Sequence, residues 1–244
     1  MTTMVAENDQ VTRALKLGVT VGGLVMGGKR DPQKVASILQ IINNEVNFAE
    51  VLAVGVSVAD VSKIREELIL WQQFDQKFFP DVNVGSYTSL RIPAPIPGFD
   101  WPIVNACGIT ANMLIARMKK EFSVYTYTDD LGSVRSDREP VSLSYVVLVR
   151  DRVEADEELK GKSANVIAEE AIPSIVLPER LRLEFFHWWK TGKHLDVQNV
   201  TLCTGSRYRD GRVPYVYGGG GRLSVGWDDP SCSRDDLRAR AVVS

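Results

Sequence analysis

A cluster of prolines divides this chain into two parts of different character. Five of the eleven prolines lie between Pro80 and Pro102, a stretch that contains the segment RIPAPIPGFDWP. Proline fixes φ and lacks a backbone N–H, so this segment cannot form a helix and is disfavoured as a central strand. We therefore predict an extended linker over residues 80–102, with a domain boundary within it.

The residues before the linker carry helical periodicity. Asp31 and Pro32 form a helix start, because Asp can cap a helix and Pro is tolerated at the first helical position. Apolar residues then recur at helical spacing in two stripes: Val35, Ile38, Leu39 and Ile42, and Val61, Ile64, Leu68 and Trp71. We predict a mainly helical region over residues 1–79, in which these stripes pack in a core or, alternatively, form an oligomerisation face.

The residues after the linker alternate between helical and strand patterns. Helices are predicted at 111–122, at 163–170 and from Pro178 to Gly192, the last one apolar on several sides and therefore central to the core. Strands are predicted at 124–128, 141–150, 201–203, 223–227 and 237–243, with a polar loop at 129–140 and loop-rich residues between the last three strands. This mixture predicts an α+β domain over residues 103–244.

Composition excludes several classes of function. The formal net charge is −2, which argues against a general nucleic-acid coat. The longest apolar run, Leu17 to Gly28, is too short and too glycine-rich to span a membrane, and acidic residues before it make a poor signal peptide. Three widely spaced cysteines fit a reducing compartment. We therefore expect a cytoplasmic protein without a membrane span, with surface display by another route as the alternative.

Candidate catalytic groups are few. His187 and His194 could share a helix face near Glu184, but a zinc site needs tighter spacing and a third ligand. The acidic pairs Asp129/Asp130, Glu157/Glu158 and Asp228/Asp229 are typical of solvated loops, and the tetraglycine at 218–221 lacks the Lys-Ser/Thr of a phosphate-binding loop. The sequence thus predicts no cofactor, no metal site and no catalysis.

The residues after Gln198 lack several amino-acid types altogether. They contain no Lys, Glu, Gln or Met, Trp227 is their one tryptophan, and all seven basic residues after Val200 are arginine. Lys, Glu, Gln, Met and Trp are the amino acids whose codons end only in A or G. Their joint scarcity points to a segment written largely in codons that end in C or T.

Two classes of residue interleave in this segment. The first class is apolar or turn-forming and makes a sensible framework: Val213, Pro214, Val216, Leu223, Val225, Trp227, Pro230, Leu237, Arg238, Ala239 and Arg240. Every member of the second class can be encoded by changing the first two bases of AAC or AAT: Tyr208, Arg209, Arg212, Tyr215, Tyr217, Gly218, Gly219, Gly220, Gly221, Ser224, Gly226, Asp228, Asp229, Ser231, Cys232, Ser233 and Asp236. In strand 223–227 the alternation places the two classes on opposite faces.

This pattern resembles the variable proteins of diversity-generating retroelements. In that family a reverse transcriptase copies a template repeat with errors at adenines, and the mutated copy replaces the 3′ end of the target gene. The resemblance covers residues 185–244 closely and 123–184 more loosely, whereas residues 1–110 match nothing that we can name. It rests on the constant stretch FFHWWKTGKHLDVQNVTLCTGSR and on VPxV (Val213, Pro214, Val216), LxVxW (Leu223, Val225, Trp227), Pro230 and the terminal LRARAVVS.

The resemblance implies a C-type lectin-like domain over residues 103–244, with a variable region at about 206–238 that forms a ligand-binding surface. The calcium ligands of true lectins are not part of it. Burial is then expected from Trp227, Leu223, Val225 and the helix of Trp188 and Trp189, while the tyrosines Tyr208, Tyr215 and Tyr217 serve as contact anchors.

The sequence leaves the ligand and the assembly open. The partner is an unknown protein or surface ligand, not nucleic acid, and a homo-oligomer is possible. Two alternatives remain, namely a structural oligomer driven by the helical N-terminal half, and an enzyme on a lectin-like scaffold with Cys203 as its nucleophile. A buried strand thiol is the more common role for such a cysteine.

Overall fold

The chain divides into two compact units. The computed structural model describes residues 58–94, 96–140 and 142–244, with side chains from residue 63 onward. One unit, called the main unit below, comprises Ile64–Pro93 and Gly98–Ser244; the other comprises Met1–Lys63 and Ala94–Pro97. The helix predicted after Asp31 lies outside the described residues, and every contact reported below lies within the main unit.

Four α-helices lie wholly or partly in the main unit, and their ends carry the expected signals. The Thr110 hydroxyl accepts a hydrogen bond from the Met113 N–H at 3.3 Å, and the Ser163 hydroxyl accepts one from the Val166 N–H at 3.3 Å. Gly192 ends the longest of the three later helices in a left-handed conformation (φ 70°). The helices predicted after the linker are thus confirmed. The four are α1 (Val58–Phe78), α2 (Ala111–Glu121), α3 (Ala164–Glu169) and α4 (Leu177–Thr191).

The described strands form three sheets, which together with the helices give the α+β composition predicted. The strands are β1 (Trp101–Asn105), β2 (Val124–Thr126), β3 (Arg135–Ser136), β4 (Tyr145–Val149), β5 (Val200–Leu202), β6 (Ser206–Arg207), β7 (Val213–Gly219), β8 (Arg222–Asp228) and β9 (Leu237–Arg238). The largest sheet has the order β2-β8-β7-β5-β9, and two pairs, β1-β4 and β3-β6, form the others. In the five-stranded sheet β7 is antiparallel to β8 and β5, while β2 and β9 are parallel edge strands.

The loop-rich interpretation of the residues before Leu223 is wrong for one segment. Residues Val213–Gly219 form strand β7, which pairs along its whole length with β8. Valine and tyrosine both favour strands, whereas the glycines that suggested a loop belong to the end of the hairpin. The segment that looked irregular is therefore the centre of the sheet.

The main unit also begins earlier than the boundary expected at residues 80–102. Helix α1 from Ile64 onward belongs to the same unit as residues 98–244. The Trp71 indole N–H donates a hydrogen bond to the Pro102 carbonyl at 2.8 Å, and Pro102 itself lies in β1 opposite Leu148. A strand of a two-stranded sheet has one unpaired edge, which is where a proline is tolerated.

Aromatic packing between α1 and α4 forms the centre of the core. The rings of Trp71 and Phe186 stack with centroids 3.8 Å apart, and Phe74 meets Phe185 edge-on at 5.0 Å. The central place predicted for α4 is confirmed. Its Trp188 and Trp189, however, are only partly buried and pack against the rim of the core.

Helix α4 also buries charged residues that hydropathy would place on the surface. The Arg180 and Glu184 side chains are fully buried and paired at 2.8 Å, and Arg180 also meets Asp196 at 2.8 Å. Arg240 joins Asp196 at 2.7 Å from the C-terminal segment. We call Arg180, Glu184, Asp196 and Arg240 the buried ion network; it links α4 to the last residues of the chain.

The last residues are extended and mostly buried, as predicted, although strand β9 is shorter than residues 237–243. Beyond it, Leu148 and Val243 exchange two backbone hydrogen bonds of 2.9 Å, which attach the end of the chain to β4. Strand β4 also pairs with β1, so one strand separates the C-terminal segment from the first strand of the described sheets.

Candidate binding face

The β7–β8 hairpin places most of its interleaved residues on one face of the five-stranded sheet and most of its framework residues on the other. Its register pairs Tyr215 with Gly226 and Tyr217 with Ser224, and side chains alternate along a strand. Tyr215, Tyr217, Ser224, Gly226 and Asp228 therefore share one face, which we call the outer face.

The opposite, inner face holds framework residues. Val216 lies opposite Val225, and both are buried in the main core together with Leu223. This core includes Phe185 and Phe186 of α4. The stability of the sheet is thus supplied mainly from the side that the interleaved residues do not occupy.

A small apolar cluster covers one end of the outer face. It consists of the buried residues Ala164, Val200, Leu202, Val213 and Leu237. The rings of Tyr215 and Tyr217 pack against it with their centroids 6.1 Å apart and remain partly exposed. Partial burial raises the pKa of Tyr215 above its ordinary value. The two rings therefore stand on a fixed apolar base and face outward over β7.

Two outer-face positions are buried rather than exposed. A Cβ atom on Gly226 would lie 2.5 Å from the end of the Tyr215 ring, which covers it. Ser224 is 3% exposed, and its hydroxyl has no hydrogen-bond partner among the described residues. Tyr215 thus lies over Gly226, so at this point the two strands present one combined surface.

The glycines at 218–221 have different structural roles. Gly220 and Gly221 have φ of +61° and +76°, as the two-residue turn of a hairpin requires. A Cβ on Gly218 would lie 2.3 Å from His194 Cβ and 2.7 Å from the Leu195 carbonyl. Gly218 lies on the inner face, so it behaves as framework, in contrast to its predicted place among the variable residues. Gly219 approaches the Tyr217 ring on the outer face.

Tyr208 does not join the outer face. Its ring packs against the main core, and its buried hydroxyl has no hydrogen-bond partner among the described residues. Burial raises the pKa of Tyr208 to about 12. The neighbouring Arg209 is exposed. The anchor role predicted for the three tyrosines thus fits the positions of Tyr215 and Tyr217 but not that of Tyr208.

Trp227 is less buried than the framework interpretation requires. It is partly exposed, its ring meets Tyr127 edge-on at 5.3 Å, and the Arg212 guanidinium lies 3.3 Å from its centroid. Arg212 is itself held by Asp210, whose carboxylate accepts from Nε at 2.7 Å. The expectation of a fully buried tryptophan needs correction, because Trp227 stands at the end of β8 beyond the main core.

The loop after β8 is tied to itself and to the residues around α3. Arg234 bridges Asp228 at 2.7 Å and Asp236 at 3.0 Å, and the Asp229 carboxylate accepts two hydrogen bonds from Ser231. The Ser233 hydroxyl donates to the Gly161 carbonyl at 2.6 Å. Cys232 packs against the small apolar cluster. This loop therefore borders the outer face with interleaved residues that are mostly exposed.

One exposed tyrosine of the outer face was not predicted as a site residue. Strand β2 pairs in parallel with β8 and places Tyr125 beside Ser224, and Tyr125 is 48% exposed. The alternation of VYTYT at residues 124–128 predicted the strand but not its exposed side. A hint was present in the two tyrosines at alternate positions, which share a face of any regular strand.

Among the candidate catalytic groups, the structure brings His194 and Glu184 into contact, whereas Cys203 and His187 have other surroundings. Cys203 is fully buried, and burial raises the pKa of its thiol well above the ordinary value. His194 Nδ1 lies 2.7 Å from Glu184, whereas His187 meets the Trp101 ring edge-on at 5.7 Å. Within the described residues, no cluster of three His, Cys, Asp or Glu side chains could hold a metal ion.

Two further observations bear on the functional interpretation. Across the described part of the chain, no helix has the length and apolar character of a membrane span. Compared with known proteins, the chain matches no protein-family model, no curated protein and no solved structure. The functional interpretation therefore rests on the geometry of the outer face and on the amino-acid types found after Gln198.

Proposed function

We propose that this chain is a ligand-binding protein whose outer face is diversified by adenine-directed mutagenic retrohoming, as in the variable proteins of diversity-generating retroelements, on a C-type lectin-like domain. The observation that carries the proposal is the division of the β7–β8 hairpin. Interleaved residues such as Tyr215, Tyr217 and Asp228 occupy the outer face, while the framework residues Val216, Leu223 and Val225 occupy the core.

The physical logic is that a varied surface must not determine whether the protein folds. Exposed substitutions usually change stability by no more than about 0.5 kcal/mol, whereas truncation of a buried aliphatic side chain costs about 2–5 kcal/mol. Because the inner face and α4 supply the core, side chains such as those at 217 and 228 can change without loss of the fold. Variation confined to that face therefore changes which ligands the protein binds and leaves its fold intact.

The residues present on the face suit recognition of a protein or another surface ligand. Tyrosine gives a large contact area with few rotatable bonds, while Ser, Gly and Asp give adaptable hydrogen bonding, as in antibody paratopes. Tyr215 and Tyr217 supply the first property here, and the loop residues Asp229, Ser231 and Ser233 supply the second. Burial of Cys203 favours this binding role over the alternative of an enzyme with that thiol as its nucleophile.

The deciding experiment is genetic. The source genome should hold a non-coding near-copy of the segment that encodes about residues 206–244, with AAC or AAT wherever the gene differs, and a reverse transcriptase gene beside it. The codons of the interleaved positions should end in C or T almost without exception. Differences spread evenly over G, C and T in the template, or no template in a complete genome, would refute the retroelement and leave a binding domain of fixed sequence.

A further inference from the structure

Two exposed tyrosines lie in or directly after the edge strand β2 and outside residues 206–238. Tyr125 and Tyr127 are 48% and 60% exposed. Tyr125 lies on the outer face of β2, an edge strand of the five-stranded sheet, and Tyr127 follows directly after β2. An aromatic ring left in water is informative because burial of its apolar surface would be favourable.

Contacts with the β7–β8 hairpin and the residues before it hold both rings. The Arg222 guanidinium lies 5.2 Å from the Tyr125 centroid. Tyr127 packs edge-on against Trp227, and Arg212 covers the tryptophan. Rings already fixed by such contacts lose little further freedom when a partner binds, which favours affinity.

The arginines near these rings and on the neighbouring loop differ in whether they form an ion pair with a carboxylate. Arg212 is paired with Asp210, and Arg234 is paired with Asp228 and Asp236. Arg222 is exposed, and no carboxylate among the described residues forms an ion pair with it. A guanidinium that forms no ion pair presents a planar set of N–H donors that matches a carboxylate.

We propose that Tyr125, Tyr127 and Arg222 form a fixed contact area that binds an acidic protein segment, namely one that presents a carboxylate beside an apolar side chain. The carboxylate meets Arg222, and the apolar side chain lies on the tyrosine rings. This inference rests on the proposed function and deepens it, because both tyrosines lie outside the variable region. Arg222 lies within that region but is not one of its interleaved positions. Every variant then shares the two tyrosines as an anchor, while the outer face adjusts specificity around them.

A nucleic acid fits this surface less well than an acidic protein segment does. Aromatic rings with arginines can bind single-stranded nucleic acid, but such sites lie in basic grooves. The loop that borders the outer face carries four aspartates, Asp228, Asp229, Asp235 and Asp236, with Arg234 as its one cation. A polyanion would be repelled there, whereas a protein segment with one local carboxylate would not.

The test is selection of a random-peptide phage library on the immobilised full chain, followed by affinity measurement. Peptides enriched by the wild type are synthesised, and their dissociation constants are measured by fluorescence anisotropy. The variants are Tyr125→Ala/Tyr127→Ala and Arg222→Gln, and the matched control is Leu143→Ala, a 79% exposed residue on another loop. Circular dichroism establishes that all variants are folded.

We expect the selected peptides to contain Asp or Glu next to an aliphatic or aromatic residue. The double tyrosine variant should weaken their binding by about tenfold or more, as for aromatic hot spots, and Leu143→Ala should leave it unchanged. Replacing the acidic residue of the peptide by its amide should weaken binding to the wild type but not to Arg222→Gln. A dT oligonucleotide that binds more tightly than every selected peptide would overturn the proposal.

A further variant distinguishes a failure of this inference from a failure of the proposed function. In a variant with Tyr215→Ser and Tyr217→Asp, the library should yield different peptides that still lose affinity when Tyr125 and Tyr127 are removed. Suppose that the selected peptides change with residues 215 and 217, but that removal of Tyr125 and Tyr127 does not change affinity. The proposal of a diversified outer face then stands, and the proposal of a fixed contact area is wrong. Failure to select any peptide also counts against the fixed area, while the template search tests the diversification independently.

Discussion

At the scale of single residues, the same amino acid has opposite roles on the two faces of the hairpin. Gly218 and Gly226 both belong to the interleaved class, and codon reasoning alone treats them alike. On the inner face a Cβ at 218 would press against backbone, namely the Leu195 carbonyl at 2.7 Å. On the outer face a Cβ at 226 would press only against the far end of the Tyr215 ring, which can rotate away.

We therefore expect Gly218→Ala to destabilise the protein by about 2–3 kcal/mol, because backbone and His194 cannot move aside without strain. Gly226→Ala should cost less than about 1 kcal/mol, since the ring of Tyr215 can take another rotamer. Urea unfolding followed by tryptophan fluorescence measures both. If the two variants lose equal stability, the distinction between the faces is wrong at these positions.

Trp227 and Leu223 offer a second comparison on one strand. Leu223 is fully buried in the main core, so Leu223→Ala should cost about 2–5 kcal/mol. Trp227 is partly exposed and held by Tyr127 and Arg212, so Trp227→Ala should cost less, about 1–2 kcal/mol, despite the larger ring. Chemical denaturation measures the free energy of unfolding of both variants. A larger loss of stability in Trp227→Ala than in Leu223→Ala would show that Trp227 belongs to the core framework.

At the scale of elements, the hairpin turn sets a conformational limit on variation. Gly220 and Gly221 both have positive φ, a region that β-branched residues avoid and that Asn tolerates best after Gly. Asn is also the amino acid encoded by AAC and AAT. A template with asparagine at these positions would thus encode a residue that the turn accepts before any mutation occurs.

We predict that Gly221→Asn is nearly neutral, whereas Gly221→Val destabilises the hairpin by at least about 1–2 kcal/mol. The free energy of unfolding of both variants tests this, with Ser231→Val at an exposed position as the control for added bulk. Equal stability of the valine and asparagine variants at 221 would show that the turn does not need positive φ.

The elements also show which parts of the fold the sequence could specify. The helices with clear caps at Thr110, Ser163 and Gly192 were predictable, because capping is local chemistry. Strand β7 was not, because its Gly-rich end and its mixture of tyrosine and valine also fit a loop. The two faces of β8 followed from alternation alone, but the burial of Gly226 depends on how Tyr215 lies across it, which is tertiary information.

At the scale of the whole molecule, the buried ion network attaches the end of the chain to the central helix. Asp196 meets both Arg180 and Arg240 with no exposure to solvent. Burial by itself raises the pKa of Asp196, but the two guanidinium groups outweigh it and hold that pKa below its ordinary value. This network was not predicted, because charged residues on a helix normally indicate its solvated side.

Stability should consequently depend on acid in a defined direction. A carboxylate whose pKa is lowered by folding stabilises the protein above its unfolded pKa, which is about 4, and that stability is lost as pH falls through the folded value. We expect the free energy of unfolding to fall below about pH 4. Asp196→Asn should cost about 3–5 kcal/mol at neutral pH, because buried Arg240 loses its carboxylate partner and buried Arg180 keeps only Glu184. The stability of this variant should also vary less with acid. An unchanged acid profile in Asp196→Asn would assign the sensitivity to other carboxylates.

The contact between Tyr215 and Gly226 has a consequence for the diversity that such a surface can hold. A side chain at 226 and a large ring at 215 compete for one volume, so their substitutions are epistatic rather than independent. The repertoire of working surfaces is then smaller than the product of the choices at each codon. Among many sequenced siblings of this chain, bulky residues at 226 should coincide with small residues at 215 more often than their separate frequencies allow.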